Sequence, residues 1–354
     1  MAELIIHTEK IKQNIKYLSS YFDRHNKEWC LITKLFSGDK TFFETILTQD
    51  VIESIDSIGD SRLTSLRDLR ASFPHLKTFY IKPPEGIYAD DVVDYADISL
   101  NTSFSTIEAL NVSAKKKNVI HKIIIMVELG DLREGVNSDD VIEFYKSVYD
   151  LSNIEVIGIG TNLGCMHTAE PTYDILNELS LKKELISDKF NKNLELLSGG
   201  TSVTLPLLEN AVLPEDINHF RIGEAAFLGI IPLKNKKFKD LHTDIFEFYA
   251  NIIELEEKKV ASATSTHKDD NTAIASFRAI LDFGLLDVDK KDIETEDSMS
   301  YIGATSDMFV IDLGDNKTKS GMTKYKVGDR IKFKPNYMAI SRLLNSKFIQ
   351  KRYI

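Results

Sequence analysis

Lys34 closes the run Trp29-Cys30-Leu31-Ile32-Thr33-Lys34, whose leading residues are apolar enough for a buried strand. A lysine in that position is expected at a sheltered barrel mouth, where burial favours the neutral amine and makes it a nucleophile toward carbonyl carbon. Taken alone, a lysine at a strand end is more often a solvated surface residue, so its neighbours decide. Ser198-Gly199-Gly200-Thr201-Ser202 and Arg221-Ile222-Gly223-Glu224 bring small residues to two further strand ends. There, free backbone N–H groups and a helix N-terminus together favour an anion such as phosphate. Gly199 and Gly200 read equally well as plain turn residues. Glu128-Leu129-Gly130-Asp131-Leu132-Arg133-Glu134-Gly135 and Gly160-Thr161-Asn162 add polar groups at two more strand ends.

The elements that must carry these residues alternate. Eight β-rich runs, at 29–34, 54–59, 78–82, 97–101, 122–128, 155–160, 195–199 and 219–223, are separated by segments with apolar residues at helical spacing. That alternation predicts parallel strands joined by helical crossovers, closed into a (β/α)8 barrel of the TIM type. An open doubly wound sheet is the alternative, but no G-x-G-x-x-G follows the first run. A helix from Thr8 to about Asn26 precedes the first strand and is expected to pack outside the barrel, with Thr8-Glu9-Lys10-Ile11 as its N-cap region. Past Lys234 the texture changes to strand-like stretches with polar breaks, among them a turn-rich loop at 264–271. The fold class is therefore α/β, with a barrel over residues 1–234 and a mainly-β domain over 235–354.

The bulk numbers narrow the function. A formal charge of −10 over 354 residues opposes wrapping of nucleic acid or binding to an anionic membrane. Two cysteines, Cys30 and Cys165, make no disulfide framework, and no ligand spacing for a metal is seen. The N-terminal apolar run is too short for a signal peptide and no stretch is long enough to span a bilayer, so the cytoplasm is the expected location.

Seven blocks then carry a resemblance over nearly the whole chain: LITKLFSGD (31–39), DISLN (97–101), HKIIIMVELGDLREGV (121–136), GIGTNLGC (158–165), LLSGGTS (196–202), INHFRIGEAAFLG (217–229) and IGATSDMFVID (302–312). In order and spacing they resemble the fold-type III pyridoxal-phosphate enzymes, in the ornithine-racemase-like branch of the alanine racemases. The resemblance implies an amino-acid racemase with pyridoxal 5'-phosphate as cofactor. Lys34 would hold the cofactor as a Schiff base and remove and return the α-proton on one face. Arg221 would donate to the pyridine nitrogen, Thr201 and Ser202 with the backbone of Gly223 and Glu224 would hold the phosphate, and Asn162 would lie near the ring. Arg133 would serve the phenolic oxygen; as a plain strand-end residue it would instead pair with Glu128 or Asp131. The resemblance further implies a head-to-tail homodimer, in which Ser306 and Asp307 of the second domain reach the partner's site and its small amino-acid substrate. Those two residues otherwise form an ordinary turn.

Three positions depart from the alanine racemases. Leu285, in LDFGLLD (281–287), stands where a proton-donating tyrosine is found; Met126 replaces a lysine and Gly38 a tyrosine. Cys165, His167, Asp287 and Asp307 are candidates for the second acid/base. The departures fit a longer, cationic substrate such as ornithine, with Asp131, Glu134 and Asp287 as candidate anionic groups. A non-catalytic carrier of the cofactor is the competing reading, favoured by Leu285 and opposed by residues 235–354. A decarboxylase or aldolase on the same fold ranks below both.

Overall fold

The computed structural model describes residues 1–166, 169–260, 274–295 and 299–354. His167 and the 264–271 loop lie outside the described residues. Two compact units are present, Glu9–Thr243 and Met1–Thr8 with Asp244–Ile354. The expected boundary at 234/235 thus moves to 243/244, and the first eight residues leave the barrel unit. The reason is β1 (Glu3–Ile6), which buries Leu4 and Ile6 in the second unit by pairing with a strand far along the chain.

In the barrel unit each of the eight sequence runs contains a strand: β2 (Glu28–Ile32), β3 (Ser57–Asp60), β4 (Thr78–Tyr80), β5 (Ile98–Asn101), β6 (His121–Glu128), β8 (Ile154–Gly160), β9 (Leu196–Ser198) and β10 (His219–Ile222). All are parallel and pair in sequence order, and the β5–β6 and β10–β2 pairs complete the ring. A short β7 (Val136–Asn137) lies beside the end of β6. Cys30, Ile32, Phe79, Ile98, Leu100, Ile124, Met126, Ile157 and Leu196 pack as one apolar cluster. The interior is therefore a packed core, and chemistry is confined to the rim. The helix Thr8–Arg24 buries Ile11, Ile15, Leu18 and Phe22 at helical spacing, with Phe22 against Trp29 and Phe220. Its Asn14 side chain donates to Ala226 O and His242 O and accepts from the His242 amide, a latch that satisfies buried backbone groups. After the ring, β11 (Ile230–Ile231) and β12 (Lys236–Lys237) form a small hairpin.

The second unit is antiparallel: β13 (Phe246–Val260), β14 (Ile274–Leu281), β15 (Ile293–Thr295), β16 (Ser300–Ala304), β17 (Phe309–Asp312) and β18 (Arg330–Pro335) run in the order β15-β18-β13-β14-β17-β16. β1 joins β13, and β19 (Gln350–Tyr353) joins β1 in parallel. Phe248, Phe283, Phe309 and Phe333 stack and cross at the centre of its core. One helix, Tyr337–Asn345, covers part of it by burying Ala339, Ile340, Leu343 and Leu344.

Candidate active site

β2 stops at Ile32, two residues before the apolar run of the sequence ends. Thr33 anchors the turn: its amide donates to Gly59 O at 2.9 Å and its hydroxyl to Asp60 Oδ2 at 3.0 Å. Lys34 then opens a 3-10 turn, Lys34–Phe36, and is exposed, which corrects the expectation of a sheltered amine. Among the described residues no hydrogen bond or ion pair holds its amine, while its charge acts on the Glu224 carboxyl and the Cys165 thiol. Asp60, buried at the end of β3, is pushed up to about 6 by burial, against the N–H of Arg62 and the Thr33 hydroxyl that favour its charge.

Arg221, on β10, is buried, and its three acceptors are all uncharged. Nη1 donates to Ser198 Oγ, and Nη2 to Thr161 O at 2.6 Å and Asn162 Oδ1 at 2.8 Å. Burial pulls its pKa down to about 10, still far above neutrality, so the charge persists without a direct ion pair. Ser198 Oγ also meets His219 Nδ1 at 2.8 Å, and His219 stacks on Phe79. Burial, reinforced by the Arg221 charge, pulls His219 down to about 3. The imidazole is neutral and does not compete with the guanidinium.

The loop after β6 is wound around one carboxylate. Glu128 Oε1 accepts from the amides of Gly130 at 2.6 Å and Leu132 at 3.0 Å, and Oε2 from that of Arg133. Gly135 makes the return with φ +149°; a Cβ there would lie 2.4 Å from Glu128 N. The wrap presents Arg133, whose Nε lies 3.5 Å from Asp131 Oδ2 and contacts Glu134 Oε2, and whose Nη2 donates to Glu134 Oε1 at 2.9 Å. Of the expected ion-pair partners, Asp131 is engaged by the side chain, Glu128 only by the Arg133 backbone. Asp131, buried, also accepts from the Cys165 and Met166 amides at 2.8 and 3.1 Å. Its Oδ1 is a loop anchor, while Oδ2 has only the Arg133 guanidinium nearby and no hydrogen bond among the described residues. Asn162 donates to Glu134 Oε1, so Arg221, Asn162, Glu134 and Arg133 form one connected chain.

At the glycine-rich corner Thr201 caps the 3-10 turn Ser202–Thr204, and the buried Ser202 hydroxyl accepts from Ala225 N at 3.1 Å. Gly223 caps the helix Glu224–Leu228; a Cβ there would crowd Ile32 O at 3.1 Å. The first amides of such a helix have no intrahelical acceptor. Glu224 faces this corner half-buried, and burial raises its carboxyl to about 7 against the pull of Lys34. At neutral pH a substantial share of it is uncharged.

A phosphate-bearing aldehyde needs an anion cup, a permanent cation for its ring and an amine free to react. Two adjoining turn starts with a serine hydroxyl, a buried arginine with only neutral acceptors, and an unrestrained lysine supply these, and the residues fit pyridoxal phosphate. Sequence reading missed Ser198 and His219. The signal for His219 was its two-residue spacing from Arg221, which places both on one face of β10; Ser198 had no such signal.

The second unit carries Ser306 and Asp307 on the exposed turn between β16 and β17, where Asp307 Oδ1 accepts from Thr305 Oγ1 and Ser306 Oγ. Leu285 and Leu286 lie beside them, their backbone N–H groups donating hydrogen bonds to Thr305 O and Ser306 O, both 2.9 Å, with their side chains exposed. Asp287 turns inward and accepts from Gly284 N and Ser346 Oγ, so it is a turn brace and not a free base. Cys165, on the barrel unit, is exposed.

The model of the alanine racemase N-terminal domain matches residues 6–230. The chain is 31% identical to the ornithine racemase of Acetoanaerobium sticklandii, covering 99% of both chains. It is 30% identical to the lysine racemase of Thermotoga maritima, over 99% of this chain and 98% of that one. Among solved structures it is similar to the alanine racemase of the D-cycloserine producer Streptomyces lavendulae, with a TM-score of 0.77 at 13% identity over 100% of this chain and 97% of that one.

Proposed function

The chain belongs to the alanine racemase family, and on that premise we propose that its substrate is a diamino acid, ornithine or one of similar length, whose L and D forms it interconverts. It is an amino-acid racemase that uses pyridoxal 5'-phosphate. The observation that carries the site assignment is the buried, charged Arg221 held by three neutral acceptors, together with a lysine at the same barrel rim whose amine has no partner among the described residues.

When bound, the cofactor supplies the electron sink that lets an α-proton leave. The residues divide the remaining tasks. Lys34 Nζ would hold the cofactor by condensing with its aldehyde carbon with loss of water, and would take or return a proton on one face of the substrate. Thr201, Ser202 and the amides of Gly223 and Glu224 hold the phosphate. Arg221 would donate to the pyridine nitrogen; because a guanidinium does not give up its proton readily, it would leave that nitrogen unprotonated and moderate electron withdrawal. Asn162 holds Arg221, and Arg133 donates to the phenolic oxygen. Leu285 has no proton to transfer, so the second acid/base lies elsewhere, with Cys165 and Asp307 as the exposed candidates. In this reading the protein works in the cytoplasm as a head-to-tail homodimer, the second unit of one protomer bringing Ser306 and Asp307 to the other's substrate.

The test is α-proton exchange into deuterated solvent, with chiral analysis, across ornithine, lysine, arginine, alanine and serine. Exchange and loss of optical purity with ornithine or lysine above the others is the expected result. No exchange with any of the five would overturn it in favour of the cofactor carrier, the reading that Leu285 supports.

A further inference from the structure

Arg133 lies in the loop after β6 and Arg221 near the end of β10, yet one carboxylate stands between them. Glu134 meets Arg133 with both oxygens, Oε1 accepting from Nη2 at 2.9 Å and Oε2 facing Nε. Oε1 also accepts from Asn162 Nδ2, while Asn162 Oδ1 accepts from Arg221 Nη2 at 2.8 Å. The amide cannot be turned over without opposing its NH2 group to a guanidinium and its oxygen to a carboxylate. Its orientation is therefore set by its neighbours. Among the described residues Arg221 has no carboxylate in direct contact, and Glu134 reaches it through this single side chain.

We propose that Glu134 is the positioning residue that holds the two arginines in a fixed relation, gripping Arg133 directly and Arg221 through the Asn162 amide. The consequence rests on the racemase reading, in which Arg221 serves the cofactor's ring nitrogen and Arg133 its phenolic oxygen; the linkage itself rests only on the contacts. A carboxylate is needed because Oε1 and Oε2 must both accept. A carboxamide at 134 would turn one position into a donor facing another donor. An aspartate at 162 would set two carboxylates side by side. Making both changes together restores the 134–162 hydrogen bond with the roles exchanged and brings the charge next to Arg221.

The test compares Glu134→Gln, Asn162→Asp and the double variant. Each single change is expected to weaken cofactor binding and kcat/KM about tenfold and to shift the absorption band of the bound cofactor. The double variant is expected to recover part of that loss, as coupled neighbours do, because the 134–162 hydrogen bond returns while the carboxamide still opposes Arg133. In the cofactor-free protein, arginine-selective 15N labelling is expected to show Arg221 N–H exchange about tenfold faster in Glu134→Gln at an unchanged melting temperature. Single variants within twofold of the parent, losses that simply multiply in the double variant, or Arg221 exchange unaffected by position 134 would each overturn the proposal. If the parent chain binds no cofactor, the racemase reading fails, and the exchange measurement still decides the linkage.

Discussion

Lys34 lies just past one barrel strand and Arg221 near the end of another, and both are cationic side chains, but they are held in opposite ways. Arg221 is buried and tied at both terminal nitrogens, and its acceptors are tied in turn to His219 and Glu134. Lys34 stands exposed on a 3-10 turn fixed from below by Thr33 and Asp60, with no partner on its amine among the described residues. The difference follows the tasks. A group that must bind covalently, let go and carry a proton needs freedom, whereas a charge that tunes a ring must not drift, because electrostatic stabilisation depends on donors already in place. Here the rigidity lies in the turn beneath the lysine.

The largest expected effect breaks the comparison at its mobile end. Lys34→Ala is expected to abolish the visible absorption band and lower kcat/KM by roughly 10³-fold or more. Its unfolding free energy should stay within about 0.5 kcal/mol of the parent, because an exposed, unpartnered side chain contributes little. Denaturant titration beside an activity assay reads both; a large stability loss would mean that the amine is held after all. Arg221→Met probes the pinned end. It leaves Ser198 Oγ, Thr161 O and Asn162 Oδ1 without their donor, a cost only partly offset by relieving a buried charge, so a loss of about 2 kcal/mol is expected. Cofactor affinity should fall with it. A variant that melts like the parent would show that the network does not carry the rim.

How far the sequence disclosed this arrangement depends on the range of the contacts. The eight barrel strands were legible because a parallel strand covered on both faces is a short apolar run, bounded by polar ends and followed by a helix. Lys34, Asn162, Ser202 and Arg221 were legible as strand-end residues for the same reason, and the structure brings them to one rim. The exposure of Lys34 was not, since Thr33 and Lys34 extend the pattern of β2 while the backbone has already turned, drawn by Asp60 from the next strand. β1 was misassigned because four residues, Glu-Leu-Ile-Ile, say nothing about a partner in β13. The part played by Glu134 depends on a loop wound around Glu128 and on an amide from β8's far end, neither of which leaves a local signal. Asp131 and Asp287 were read as candidate anionic groups for a cationic substrate, and the structure uses Asp131 Oδ1 on two loop amides and Asp287 on the Gly284 amide and the Ser346 hydroxyl.

The smallest effect concerns a carboxyl that sits close to the mobile lysine and the anion cup alike. Glu224 is raised from the ordinary glutamate range to about 7, because burial disfavours its charge more than Lys34 favours it. The folded chain therefore holds this proton more tightly than the unfolded chain does. Its stabilising contribution is complete below the unfolded value, near 4.5, and is lost as pH rises through about 7. An anion in the adjoining cup meets a neutral neighbour below pH 7 and a like charge above it, so phosphate affinity should fall severalfold between about pH 6 and pH 8. Glu224→Gln keeps the size and removes the titration: affinity at pH 8 should rise to its pH 6 level, the pH dependence should flatten, and Lys34-dependent turnover should remain. Titrating the cofactor-free protein with inorganic phosphate and then with the cofactor, at both pH values, separates the anion effect from any on the amine. An unchanged pH profile in the glutamine variant would place the titrating group elsewhere on the rim.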